Sequence, residues 1–284
     1  MIPPFLYFII ILVIENGGND MAIRLGILGY GNMGSAIAEG ALLKGVVKAG
    51  DVYVYNRSLP KMQRAEELGF NTVGSEDELW KSSDMVLLAV KPQFMAEALR
   101  SVDKTDEAKA VVSVAAGLTT DRLRDMMPGP VRILRTMPNT PVMVGEGVTA
   151  FCEGTDLTED ELDFAQDIFN SIGMIQWIRE EDINAVGALS GGAPAYAAMF
   201  IEALADGGVK CGLKRDVSYK LAAQTLMGAA KMILDKDMHP AELKDMVTSP
   251  KGTTIEAVEA LEKGGFRYAV MDAVVKATEK GGKM

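Results

Sequence analysis

Three glycines near the start of the chain constrain its fold most. Gly29, Gly31 and Gly34 stand in "IRLGILGYGNMGSAIAEGALLKG", between an apolar β-rich run, Ile23 to Leu28, and a stretch of helical pattern, Ser35 to Lys44. In such a strand–turn–helix unit the first glycine permits the tight turn. The second lets the backbone approach a pyrophosphate, and the third lets helix and strand pack closely. The helix N-terminus then faces the phosphates. The motif alone is weak, but its position between a strand and a helix is the context that gives it meaning.

The rest of the first half continues the pattern. A second strand, "VYVYN" (Val52 to Asn56), ends in Asn56-Arg57-Ser58. NAD-selective sheets place a carboxylate there for the ribose 2′-hydroxyl. A guanidinium and a hydroxyl bind a 2′-phosphate instead, so NADP is the favoured cofactor, with NADH as the alternative. Lys61 to Gly69 reads as helix. Asp84 to Val90 and Ala110 to Ala115 are apolar on both faces, as buried parallel strands are. The first leads into Lys91-Pro92-Gln93, the second into a turn at Ala116-Gly117, and Val131 to Thr136 gives a fifth strand. Strand ends carrying Lys91, Ala116 and Asn139 are expected to share the ligand-binding edge of a doubly wound sheet.

After about Ile178 strands stop. Asp182 to Cys211 reads as one long helix, kinked at Pro194, followed by helices over Lys214 to Leu234, Glu242 to Val247, Thr254 to Glu262 and Arg267 to Thr278. So much apolar helical surface in so few residues predicts a bundle completed by a second subunit, with Met199, Met227 and Met232 in core or interface. The domain reading is 1–20 as an N-terminal extension, 21–179 as a Rossmann dinucleotide-binding domain and 180–284 as an all-helical dimerisation and substrate domain. The fold class is α/β followed by all-α.

Composition narrows the partners. The 284 residues carry a net charge of −10, which disfavours nucleic acid and anionic membrane. The apolar run Phe5 to Ile14 is too short to span a bilayer, which takes about 20 residues. Two distant cysteines, Cys152 and Cys211, form no metal spacing and fit buried thiols in a reducing cytoplasm. One histidine, His239, excludes a His-rich metal centre, and no metal is expected.

A nicotinamide enzyme that reduces a ketone needs a proton donor. Asp182 to Val209 contains no lysine, arginine or histidine. A protonated imine needs no such donor, since it takes hydride directly. It needs an anchor and good aim, and aim alone supplies roughly 7–11 kcal/mol. An anionic anchor fits the stretch "TSPKGTT" before the late helix, where hydroxyls and free N–H groups meet the positive end of the helix dipole.

From Met21 onward the sequence resembles the pyrroline-5-carboxylate reductases. The resemblance rests on "GYGNMG", "LAVKPQ", "MPNTP", "LSGGAPAY", "EALADGGVK", "GAAKM" and the long "LKDMVTSPKGTTIEAVEALEKGGFR". It implies NAD(P)H-dependent reduction of Δ1-pyrroline-5-carboxylate to L-proline, the last step of proline biosynthesis. It further implies an interlocked homodimer, in some members assembled into rings such as a decamer. By motif, Gly29, Tyr30, Gly31, Asn32, Met33, Gly34 and Ser35 are expected to hold the pyrophosphate, and Asn56, Arg57 and Ser58 the adenosine ribose or its phosphate. Val90, Lys91 and Pro92, with Ala115, Ala116 and Gly117, are expected to border the nicotinamide. Ser249, Gly252, Thr253 and Thr254 are expected to hold the substrate, with the Thr254 hydroxyl on the ring nitrogen.

Two departures stand out. The family's SGSGPAY is Ser190-Gly191-Gly192-Ala193-Pro194-Ala195-Tyr196 here, losing a hydroxyl at Gly192. SPGGTT is SPKGTT, so Lys251 is strained if the position needs positive φ. The rival readings are a reductase of another cyclic imine or a 3-hydroxyacid, and a nucleotide-sensing regulator without turnover. The absent lysine opposes the hydroxyacid and the second anion site opposes the sensor.

Overall fold

The computed structural model describes residues 23–282; the expected N-terminal extension lies outside them. One eight-stranded sheet forms the first part of the chain. Its strands are β1 (Leu25–Leu28), β2 (Val52–Tyr55), β3 (Asn71–Thr72), β4 (Met85–Leu88), β5 (Lys109–Ser113), β6 (Val131–Pro138), β7 (Gly147–Cys152) and β8 (Gly173–Ile178). Their order is β3-β2-β1-β4-β5-β6-β7-β8. The first six strands are parallel neighbours in the dinucleotide-binding order. Because β1, β4, β5 and β6 run the same way, the segments carrying Lys91, Ala116 and Asn139 leave one edge. The sequence reading missed β3, β7 and β8. β3 has two residues, and β7 returns antiparallel to β6 before pairing in parallel with β8.

Six helices cover the sheet: α1 (Asn32–Leu43), α2 (Leu59–Glu67), α3 (Glu76–Ser82), α4 (Pro92–Arg100), α5 (Thr120–Met126) and α6 (Glu159–Ser171). Successive side chains on each strand point to opposite faces. Leu25, Ile27, Met85, Leu87, Ala110 and Val112 therefore join one buried cluster, with Ile37, Ala41, Phe151 and Phe169. Leu28, Val86, Leu88 and Val111 join the other, with Trp80, Met95 and Leu99. Burial on both faces explains why these strands show no polar alternation.

Helices alone follow: α7 (Ile183–Val186), α8 (Ala193–Lys210), α9 (Arg215–Lys236), α10 (Pro240–Met246), α11 (Thr253–Lys263) and α12 (Phe266–Gly281). The single helix expected from Asp182 to Cys211 is interrupted. Gly187–Gly191 winds as a π-turn between α7 and α8, with the Gly192 N–H donating to Gly187 O at 3.0 Å. The widened turn places Pro194 in the first turn of α8, where its missing N–H is harmless. His239 caps α10, its Nδ1 accepting from Ala241 N–H at 3.2 Å. Cys152 is buried and Cys211 is exposed, which corrects the expectation that both thiols are buried. Burial raises the Cys152 thiol pKa to about 11, consistent with an inert core residue.

The helical part leaves much apolar surface uncovered. Met199 is 68% exposed, Met227 57%, Tyr268 70% and Met271 60%. Large apolar side chains exposed on several helices suit an interface. None of the described helices is long and apolar enough to cross a membrane.

Candidate functional site: a dinucleotide groove and a late helix N-terminus

The glycine turn follows from backbone geometry. Gly29 has φ +103°, a region L side chains rarely adopt, and a Cβ there would stand 2.8 Å from the Ala89 carbonyl. At Gly34 any side chain would overlap the Gly29 carbonyl oxygen. Between them Gly31 starts α1 with no side-chain cap, and the first intrahelical bond runs from Ser35 N–H to Gly31 O at 2.9 Å. The N–H groups of Asn32, Met33 and Gly34 are thus the orphan donors of the helix start, and they suit a phosphate.

Gly29, Gly31, Asn56, Arg57, Val90 and Lys91 line one groove at this edge, joined by Lys61, Glu76 and Phe94. Arg57 lies over the Phe94 ring at 5.5 Å and reaches Glu97 at 3.1 Å. Ser58 is the N-cap residue of α2, yet its hydroxyl makes no capping bond and stays available. Lys91 and Pro92 open α4, again without a side-chain cap. Ala115 is buried in the core, while Ala116 and Gly117 are exposed, with Gly117 at φ +79°.

Two of the expected nucleotide residues turn inward. Tyr30 is 1% exposed, and its hydroxyl donates to Glu39 Oε1 at 2.8 Å. Met33 packs against the core. The Tyr30 side chain is closed to a ligand, and Met33 is partly exposed. The Ser35 side chain lines a different groove, on the far side of α1. Sequence reasoning missed Lys61. Its Nζ comes within 3.8 Å of where a Gly31 Cβ would lie, so it overhangs the glycine turn. Its spacing of four residues after Arg57, on the first turn of α2, was the available signal.

The second site begins where α10 ends. Thr248 Oγ1 donates to Lys244 O at 3.0 Å, and Gly252 N–H donates to Ser249 O at 3.0 Å. Gly252 is the N-cap of α11 and offers no side-chain cap, whereas α3, α5 and α6 are capped by Ser75, Thr119 and Thr158. With glycine at the N-cap, the missing side-chain bond costs the helix only about a few tenths of a kcal/mol. Thr253 and Thr254 are exposed in the first turn. Neither they nor Ser249 and Gly252 line the dinucleotide groove of the same protomer.

Lys251 has φ +58°. The strain anticipated for a lysine at the family's glycine position is present, and left-handed backbone costs an L-residue about 1–2 kcal/mol. Lys251→Gly is expected to raise stability by about 0.5–1 kcal/mol, because glycine relieves the strain but frees the unfolded chain. Thermal melts of the two proteins check this; a lower melting temperature for the glycine variant would refute it.

Around the π-turn, Asn139 Nδ2 donates to Ser190 O at 3.1 Å and Asn139 Oδ1 accepts from Val148 N–H at 2.8 Å. The asparagine of "MPNTP" thereby ties the sheet edge to the helical part. The departure at Gly192 also has a steric counterpart. A Cβ there would lie 2.8 Å from both the Tyr196 hydroxyl and Ala188 O, so the space is already taken.

The chain matches known proteins along most of its length. Residues 180–284 match the family model described as pyrroline-5-carboxylate reductase dimerisation. Residues 24–117 match the model of NADP oxidoreductases, coenzyme F420-dependent. The pyrroline-5-carboxylate reductase of Escherichia coli is 41% identical over 266 residues, covering 93% of this chain and 99% of that protein. The Arabidopsis thaliana reductase is 40% identical over 261 residues, covering 91% and 94%. Among solved structures, Plasmodium falciparum pyrroline carboxylate reductase with NADP bound superposes with a TM-score of 0.81 at 36% identity, covering 91% of this chain and 97% of that one. A reductive aminase of Aspergillus terreus, at 19% identity and TM-score 0.56, shares the fold alone. With identity near 40% across nine-tenths of its length, a dinucleotide groove and a dimerisation-type helical part, the chain belongs to the pyrroline-5-carboxylate reductase family.

Proposed function

We propose that this protein reduces Δ1-pyrroline-5-carboxylate to L-proline with NADPH in the glycine groove and the substrate acid at the start of α11. The reaction is the family's own; the placement of its parts is our reading. When bound, the reduced nicotinamide supplies a hydride to the carbon of the C=N bond. The ring nitrogen, already protonated in the imine, becomes the amine without a proton from the protein. This matches a long helical stretch, Asp182 to Val209, that contains no lysine, arginine or histidine.

The observation that carries the proposal is that one chain offers both the glycine turn that opens α1 and a late helix start, at Gly252, flanked by the Ser249, Thr253 and Thr254 hydroxyls. The start of α1 suits the dinucleotide pyrophosphate. The start of α11, with Ser249, Thr253 and Thr254, suits a carboxylate, to which the helix dipole adds about 0.3–1 kcal/mol. The two starts do not share a groove within a protomer. We therefore place α11 of a second copy against the groove of the first, so that the dimer makes the complete site. The exposed apolar helical faces and the matched dimerisation model support that arrangement. Grouping of dimers into a ring is the finer part of the proposal, and mass measurement in solution tests it. We divide the chain functionally into 21–179 for nucleotide and 180–284 for assembly and substrate, with 1–20 standing apart. Two unpaired cysteines suit the cytoplasm.

The direct test mixes protein, pyrroline-5-carboxylate and either NADPH or NADH and follows loss of reduced-nicotinamide absorbance. No loss with either cofactor refutes the proposal. Arg57→Ala and Lys61→Ala are each expected to lower kcat/KM for NADPH about tenfold and to affect NADH far less, since each removes a cation suited to the 2′-phosphate. Equal losses for both cofactors would remove these residues from phosphate recognition.

A further inference from the structure

We infer that Tyr30, Glu39 and Arg64 form a positioning triad that sets the glycine turn and α2 in register for NADPH. The inference rests on the dinucleotide reading of the groove and assigns roles to three side chains that do not line it. Tyr30 lies between the first two glycines, and its backbone is part of the turn. Its ring is buried, edge-on to Phe70 at 6.2 Å. Its hydroxyl donates to Glu39 Oε1 at 2.8 Å. Burial foremost, reinforced by Glu39, pushes the phenol pKa upward, so it remains a donor through the neutral range. Arg64 grips the same carboxylate with two prongs, Nε to Oε1 at 2.9 Å and Nη2 to Oε2 at 2.6 Å.

Glu39 therefore joins three elements: the turn, α1 and α2. The least buried of these is α2, which fully buries Ala65 and packs Met62 partly against the core. With these two side chains in apolar contact, its position depends on polar anchors as well. Arg64 lies three residues after Lys61, on the same side of the helix. Fixing Arg64 to α1 therefore holds Lys61 over Gly31 and aims the Ser58 end of α2 at the same groove. Bidentate guanidinium–carboxylate pairing supplies direction as well as attraction. The Tyr30 bond acts on the turn itself, which every dinucleotide shares. The Arg64 bond acts on α2, which carries groups suited to the 2′-phosphate.

The two halves of the triad make different predictions. Glu39→Gln keeps an acceptor for Tyr30 but loses the charge that holds Arg64. It is expected to raise KM for NADPH about fivefold and to lower the NADPH-to-NADH ratio of kcat/KM at least threefold. Arg64→Gln is expected to do the same. Tyr30→Phe is expected to raise KM for both cofactors alike, about threefold, and to keep the ratio. Fluorescence titration of purified protein with NADPH and with NADH reads the same changes without turnover. A purely structural role would lower the melting temperature and leave both affinities and their ratio in place, which would overturn the inference. Lys61→Ala serves as the reference. If it lowers the ratio while Glu39→Gln and Arg64→Gln do not, the triad's role fails and the groove reading stands. If neither Lys61→Ala nor Arg57→Ala lowers the ratio, the reading of a 2′-phosphate site beside the glycine turn fails and the triad inference falls with it.

Discussion

Thr254→Ala lowers kcat/KM at least a hundredfold and leaves the melting temperature within about 2 °C of the parent: that is the result expected if the start of α11 holds the substrate. The two effects separate because Thr254 does little for the fold. It is exposed in the first turn of a helix whose start no side chain caps. Substitutions at such positions usually change stability by less than about 0.5 kcal/mol, and alanine is the better helix former. A hydroxyl aimed at the reacting nitrogen is different. Removing one preorganised hydrogen bond at a place where charge changes costs about 10²–10³ in rate. Thr254→Ser retains the hydroxyl and is expected to recover most of the activity. A Thr254→Ala enzyme within threefold of the parent would take Thr254 out of the site.

The second large effect is on stability and lies at the junction of sheet and helices. Glu180 stands between β8 and α7 and accepts from Arg135 Nη1 at 2.6 Å, Thr120 N–H at 2.8 Å and Thr120 Oγ1 at 2.9 Å. The Arg135 side chain is only 4% exposed, and its Nε has no partner among the described residues. Glu180→Ala would leave a buried cation without its carboxylate, a change that costs about 3–5 kcal/mol when both ions are buried. Glu180 is about a third exposed, so water takes over part of its role, and about 2–4 kcal/mol is expected. That corresponds to a fall of about 4–16 °C in melting temperature.

The same pair has a pH signature. Burial alone would raise the Glu180 pKa, but its bonds to Arg135 and Thr120 hold it below the ordinary value. A carboxylate with a depressed folded pKa contributes stability above its unfolded value of about 4.3 and loses it as pH falls through the folded value. The gap in melting temperature between parent and Glu180→Ala should therefore be full at pH 7 and shrink towards pH 3. A gap that stays constant would show that Glu180 acts through packing, not charge. Because Thr120 follows the Ala115–Gly117 loop, the variant is also expected to loosen that loop.

Local chemistry made much of this protein legible before its structure. Backbone freedom at Gly29 and close packing at Gly34 require glycine whatever the rest of the chain does. Apolar runs such as Met85 to Leu88 are long enough to identify a strand and short enough to exclude a helix. The Asn56-Arg57 end of β2 could be placed beside the glycine turn because parallel neighbouring strands end at the same edge, and both residues line its groove.

What escaped the sequence depends on partners far along the chain. β7 and β8 are strands because they complete the sheet edge beyond β6, with Phe151 wedged against Phe169 and Trp177. Tyr30 belongs to the glycine motif in sequence and to the core in space, because Phe70 and Glu39 offer its ring and hydroxyl a better environment than solvent. The π-turn at Gly187–Gly191 widens a helix that periodicity reads as unbroken, and Asn139 holds it from the sheet. The sequence alone thus determined the glycine turn, the order of the parallel strands' chemistry and the family, since these rest on contacts between near neighbours. Tertiary structure decided which side chains face the groove, which face the core, and that Thr254 and the glycine turn lie in different parts of one protomer, because those outcomes follow from packing between segments that the chain brings together only on folding.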